Sequence, residues 1–175
     1  NKGTLNLEEG ASVNHNTAHN GGGIYGNIGK IILNRETVTS NEAEQLGGGI
    51  YIDYRGSITI HSGTISNNTA KNMGGGIYSQ GGPVTLLGGI ISSNDAFASG
   101  GGIYCYGGSS NQLNGGSIHG NTARNGAGAV NGGGKMTLDG TRIRNNTADK
   151  NGDGFGGGIS NSGTLILNNG SIDHN

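Results

Sequence analysis

One spacing constrains this chain more than any other property. A Gly-Gly-Gly-Ile signature begins at Gly21, Gly47, Gly74, Gly100 and Gly156, and a degenerate copy, Gly126-Ala127-Gly128-Ala129, fills the gap. The intervals are 26, 27, 26, 26 and 30 residues. A second marker keeps the same step. Asn16, Asn41, Asn68, Asn94, Asn121, Asn146 and Asn175 each follow a Val or Ile by three residues. Two unrelated markers with one period define a repeat, and a repeat overrides local readings of secondary structure.

Each repeat holds three short β-type stretches. The first is Ile-Tyr after the glycines, as in Ile77-Tyr78. The second alternates apolar and polar residues, as in Ile58-Thr59-Ile60, and the third is a β-branched triplet such as Thr64-Ile65-Ser66. Alternation over so few residues, bounded by Gly, Asn and Ser, means half-buried strands rather than helices. The turns are too short to fold the strands into hairpins while every copy keeps its register. Stacking each repeat on the last solves this, because every strand then pairs in parallel with its equivalent about 4.8 Å away. Parallel crossovers are right-handed almost without exception. The expected fold is therefore all-β: a single-stranded right-handed parallel β-helix (a solenoid). It has six to seven coils of 26 residues, with three short strands per coil. Residues 1–175 form one such domain, read as a fragment of a longer repeat array because both ends fall inside a repeat. A leucine-rich repeat is the main rival, but it needs a bulkier segment where this chain has three glycines.

Aligning the copies gives the core. The second strand points Leu5, Ile31, Ile58, Val84, Asn111, Met136 and Leu165 inward, and two residues on Leu7, Leu33, Ile60, Leu86, Leu113, Leu138 and Leu167. The third strand adds Val13, Val38, Ile65, Ile91, Ile118, Ile143 and Ile172, and the first adds Ile24, Ile50, Ile77, Ile103, Ala129 and Ile159. Each such burial is worth about 1.5–3 kcal/mol. Cys105 aligns with Gly26, Ile52 and Ser79, an inward station, and reads as a small core filler. The asparagine column reads as a structural ladder of amides bonded from coil to coil. Asn also tolerates left-handed backbone, which offers it a turn position.

The Gly-Gly-Gly-Ile runs and the Val13-x-x-Asn16, Ile65-x-x-Asn68 and Ile143-x-x-Asn146 segments resemble the repeats of bacterial and archaeal adhesin-like proteins. Those proteins carry pectate-lyase-type right-handed β-helices. The repeats are also similar to the Gly-Gly-Ala-Ile and Phe-x-x-Asn repeats of polymorphic outer membrane adhesins, with Val or Ile here in place of Phe. The resemblance covers the whole chain. It implies secretion to the cell surface and adhesion to a glycan or a host or cell-surface protein.

Composition narrows the partners. Only 12% of residues are charged and the net charge is −1, which gives no footprint for nucleic acid or anionic lipid. No apolar run spans a membrane. Tyr25, Tyr51, Tyr78 and Tyr104 follow inward residues and should point outward as a column ending at Val130 and Ser160. Such a stripe is either a ligand-binding face or an aromatic ladder that stabilises the sheet. Asp149-Lys150-Asn151-Gly152-Asp153-Gly154 matches the opening of a calcium loop, with Asp149, Asn151 and Asp153 as oxygen ligands for Ca2+. Position 12, however, is Ser160 rather than Glu. A polar surface bulge explains the same segment. His119, Arg144 and Asp173 share an outward station, which predicts an Arg144–Asp173 pair. The remaining acids scatter, and none forms the close pair of glycoside hydrolysis. The lone inward Cys105 excludes a cysteine-based catalytic set. Three functions follow. The first is a non-catalytic extracellular rod displaying a binding face, with stacking or continuation end to end. The others are a polysaccharide-active enzyme or an inactive relative, and an ice- or surface-binding solenoid, which the irregular outward Thr columns count against.

Overall fold

The computed structural model describes residues 3–148 and 152–175. Every strand pairing in it is parallel, and each joins a stretch to its counterpart one coil away. Ile50 pairs with Ile77, and Ile77 with Ile103. Ile58 pairs with Val84, and Ile65 with Ile91. The described residues are strands, turns and bends, without a helix. Registers reproduce all four aliphatic columns, from Leu5↔Ile31 at one end to Met136↔Leu165 and Ile143↔Ile172 at the other. One aliphatic cluster runs the length of the stack, with Ile31, Leu33, Ile50, Ile58, Ile77, Leu86 and Ile103 fully buried.

The chain closes into three sheets, but they are not simply the three stretches read from the sequence. The first and second stretches share one sheet of 11 strands. In two coils they fuse, as Ile103–Leu113 and Ala129–Leu138. The third stretch makes a sheet of seven strands. The remaining six strands form a sheet that the sequence reading did not separate, and its short members follow the ladder asparagine, as in Thr69–Ala70 and Thr122–Ala123. Its inward residue is alanine in each coil: Ala18, Ala43, Ala70, Ala96, Ala123 and Ala148. The small side chain follows from the space. This sheet closes a narrow lobe in which Ala96, Ala123 and Ala127 pack on one another, apart from the main core.

The asparagine column separates the two compartments. Each amide Nδ2 donates to Oδ1 of the next asparagine, from Asn16 to Asn41 at 3.0 Å through to Asn146 to Asn175 at 2.8 Å. From Asn41 onward the second Nδ2 hydrogen goes to a backbone carbonyl one coil back, as Asn94 to Ile65 at 2.9 Å. From there each Oδ1 also accepts a backbone N–H, as Asn94 Oδ1 does from Asn68 N at 3.0 Å. Two donors and two lone pairs are all used, which is what a buried amide requires.

The ladder asparagines do not take the left-handed turn that the sequence reading allowed them. The residue just before each one does, at His15, Ser40, Asn67, Ser93, Gly120, Asn145 and His174, with φ between 51° and 63°. Placing the turn one residue earlier leaves the asparagine free to aim its amide along the axis. The glycine triplet is explained by its contacts. Gly74 is left-handed at φ 70°. A Cβ on Gly75 would lie 2.5 Å from the Asp95 carbonyl oxygen, and one on Gly76 would lie 2.6 Å from that of Gly102 and 3.1 Å from Asn94 Nδ2. The triplet thus lies against backbone carbonyls and the ladder, where no side chain fits.

Candidate functional site

The first stretch is Ile-Tyr-x with the flanking residues turned inward, so its tyrosine stands on the outer side of the sheet. Pairing sets Tyr25, Tyr51, Tyr78 and Tyr104 in one column, continued by Val130 and Ser160 as the alignment predicts. The rings stack almost parallel, with centroids 4.9, 5.5 and 5.3 Å apart. The expectation of an exposed stripe is corrected here. Tyr51 and Tyr78 are only 5% and 6% exposed, and Tyr25 alone is open, at 42%. Each inner ring is covered on both faces by its neighbours, so a ligand could reach only its edge. Burial pushes the Tyr78 phenol up to about 12, with Tyr104, Tyr106 and Tyr54 adding to it. Burial raises Tyr51 further, helped by Asp53.

Two other tyrosines, outside the column, are open at the same edge. Tyr54 is 63% and Tyr106 48% exposed. Around them Tyr51 Oη donates to Gln80 Oε1, Gln80 Nε2 donates to Tyr54 Oη at 3.0 Å, and Asp53 Oδ1 accepts the Tyr54 N–H at 2.8 Å. Burial, with the nearby Asp53 carboxylate adding to it, raises the Tyr25 phenol above its ordinary value. A shallow groove at Tyr54 is lined by Asn27, Ile28, Asp53, Tyr54 and Arg55. Sequence reasoning missed Tyr54 and Tyr106 because neither repeats. Gly81 and Gly107 occupy the station of Tyr54 in later coils, and Asn27, Asp53, Gln80 and Gly132 that of Tyr106. A search for columns finds what recurs. The available signal was that all six tyrosines fall within residues 25–106, in or just after the first stretch.

These coils have the parallel pairing, in-register core strands and inward aliphatic columns of a solenoid. A family model described as a right handed beta helix region matches residues 57–175, more than half of the chain. The chain belongs to the right-handed β-helix family. No curated protein and no solved structure matches it. The family fixes how this β-helix winds and leaves its chemistry to the side chains it displays.

The other sequence candidates fall elsewhere on the β-helix. Asp149 and Asn151 lie outside the described residues. Asp153 is described, and its carboxylate takes a two-point contact from Arg124, through Nη2 and through Nε at 3.2 Å. Among the described residues no group of three His, Cys, Asp or Glu side chains could hold a metal ion, and no helix is long and apolar enough to cross a membrane. His119, Arg144 and Asp173 do stand at one outward station. The direct Arg144–Asp173 pair is not made. Asp173 instead bonds His174 Nδ1 at 3.0 Å and Ser171, and these bonds, with a weaker pull from Arg144, hold its carboxyl below the usual range. An open groove there is lined by Arg142, Arg144, Asn169, Ser171 and Asp173. Cys105 is fully buried, and desolvation pushes its thiol up to about 12, so it is inert at neutral pH. Glu36, one of the scattered acids, is buried and caps its own turn by accepting the Asn34 and Arg35 N–H groups.

Proposed function

We propose that this chain is a non-catalytic segment of an extracellular surface protein, a stiff rod that holds a binding face toward a polysaccharide, a host surface or a neighbouring cell. The observation that carries the reading is the register of the core strands, which holds from coil to coil outside two shifts, between Ala18 and Asn20 and between Gly107 and Ser110. Core columns and amide ladder keep step along the stack, and the tyrosine stack does so over four coils, so outward side chains are held at fixed spacing along one axis. The resemblance of the repeats to those of adhesin-like surface proteins supports the surface location. The purified chain, fluorescently labelled, should be retained on intact cells or on immobilised polysaccharides. It should release neither reducing ends nor unsaturated products from a polysaccharide panel, and turnover of any member would overturn the reading.

The polysaccharide-active alternative rests on the Arg142–Arg144–Asp173 groove. Its one carboxylate is held ionised by its hydrogen bonds and so is a poor general acid. Calcium at residues 149–154 would have to draw Asp153 away from Arg124. Calorimetric titration with Ca2+ tests it, and no heat at millimolar concentration discards it.

A further inference from the structure

The tyrosine edge has the makings of a specific site. The column uses four tyrosines as mutual cover, whereas Tyr54 and Tyr106 are open to solvent. Ile52, Ser79 and Cys105 pair in register, so Asp53, Gln80 and Tyr106 occupy one station in successive coils. Tyr54 and Tyr106 therefore stand two coils apart, about 10 Å along the axis. At Gly81 the coil between them contributes a floor without a side chain, next to Gln80. A Cβ on Gly81 would meet Tyr54 Cδ1 at 3.1 Å, so the ring rests on that glycine. Gly107 continues the floor, with Gly81 Cα 3.8 Å from the place its Cβ would take. Gln80 is held between the Tyr51 and Tyr54 hydroxyls, and Asp53 accepts the Tyr54 N–H.

We propose that this edge binds an extended, neutral hexose chain laid along the rod, with Tyr54 and Tyr106 as stacking platforms. Gln80, Asp53 and Arg55 then serve as planar partners for its hydroxyls. The inference rests on the binding-rod reading and names its ligand. A pyranose ring carries an apolar C–H face and a rim of hydroxyls, which matches an aromatic face bordered by amide, carboxylate and guanidinium groups. The coil spacing of about 4.8 Å is close to the advance of one hexose in an extended β-linked chain. In a chain with twofold twist, alternate sugars show the same face, so rings two coils apart meet equivalent units. The groove holds one carboxylate and one guanidinium, which cancel and give no pull toward an anionic polymer. Polar groups already fixed by hydrogen bonds lose little entropy on binding.

Calorimetric titration of the chain with cellohexaose tests this, with polygalacturonate as the anionic comparison. Tyr54→Ala and Tyr106→Ala should each weaken cellohexaose binding by about tenfold, the worth of one stacking contact. Their melting temperatures should stay unchanged, because both rings are exposed. Phe97→Ala removes an aromatic that is also 63% exposed but lies beside Lys71 and Asp95 on another sheet, and should leave binding intact. Absence of heat with millimolar cellohexaose, equal loss in all three variants, or tighter binding of polygalacturonate would each overturn the site. Retention on cells and absence of turnover, measured on the same preparations, report separately on the rod. A chain that adheres yet ignores cellohexaose retires the sugar platform alone.

Discussion

Asn94 shows how much one residue carries in this chain. Its side chain donates to Asn121 Oδ1 and the Ile65 carbonyl, and accepts from the backbone and the amide of Asn68, all at 2.9–3.0 Å and in full burial. Asn94→Ala strands two N–H groups of Asn68 and the Ile65 carbonyl together, which should cost on the order of 3–5 kcal/mol. Urea melts of the variant measure it, and a loss below about 1 kcal/mol would mean the ladder is a spectator. The residue before it offers the opposite change. Ser93 is left-handed at φ 55°. Relief of about 1–2 kcal/mol of backbone strain exceeds the roughly 0.5–1 kcal/mol of chain entropy that glycine adds. Ser93→Gly should therefore stabilise by about 0.5–1 kcal/mol, seen as a higher melting temperature, and Gly120 is the natural case at this station.

At the scale of the element, the tyrosine column behaves as one stacked unit. Burial and neighbouring phenols raise the ionisation of Tyr51, Tyr78 and Tyr104 above the ordinary value of 10.0, that of Tyr78 to about 12. The folded chain thus holds protons that the unfolded chain has released across that window. Linkage then makes the column's contribution complete below about pH 10 and lost as pH rises through about 12. A phenolate absorbance titration should show the column tyrosines ionising late in the native chain and at the ordinary value in urea. Native titration of all six near 10 would disprove the packing. The alanine sheet is the complementary element, closed by size rather than stacking, which is why Ala43, Ala70, Ala96 and Ala123 are all fully buried without a bulky side chain among them.

At the scale of the molecule, each coil contacts only its neighbours, so stability accumulates along one dimension. The repeat should then be removable in whole units. Ile65 and Ile91 are register partners 26 residues apart. Deleting residues 65–90 joins Thr64 to Ile91 and restores every column. That variant should fold, with the same circular dichroism per residue and a modest fall in melting temperature. Deleting half as many residues would set apolar columns against polar ones and should leave the chain unfolded or aggregated. Equal behaviour of the two deletions would contradict a stack in register.

The sequence by itself determined the winding, the period, the four aliphatic columns and the amide ladder. Each is a repeated choice, and a residue type that recurs every 26 positions reports a station on the coil whatever its surroundings. The Ala column after each ladder asparagine was equally legible, since Ala18, Ala43, Ala70, Ala96, Ala123 and Ala148 keep the same step. A small residue simply gives little hydrophobic signal. Tertiary structure alone decided the rest. Alternation puts Tyr51 and Tyr78 outside the core, yet rings stacked about 5 Å apart cover one another, so outward did not mean exposed. Tyr54 and Gln80 meet across neighbouring coils through turns of unequal length, and Asp173 turns from Arg144 to His174. Such meetings depend on distances between coils and on which partner a flexible side chain reaches first, and neither is written in a column of letters.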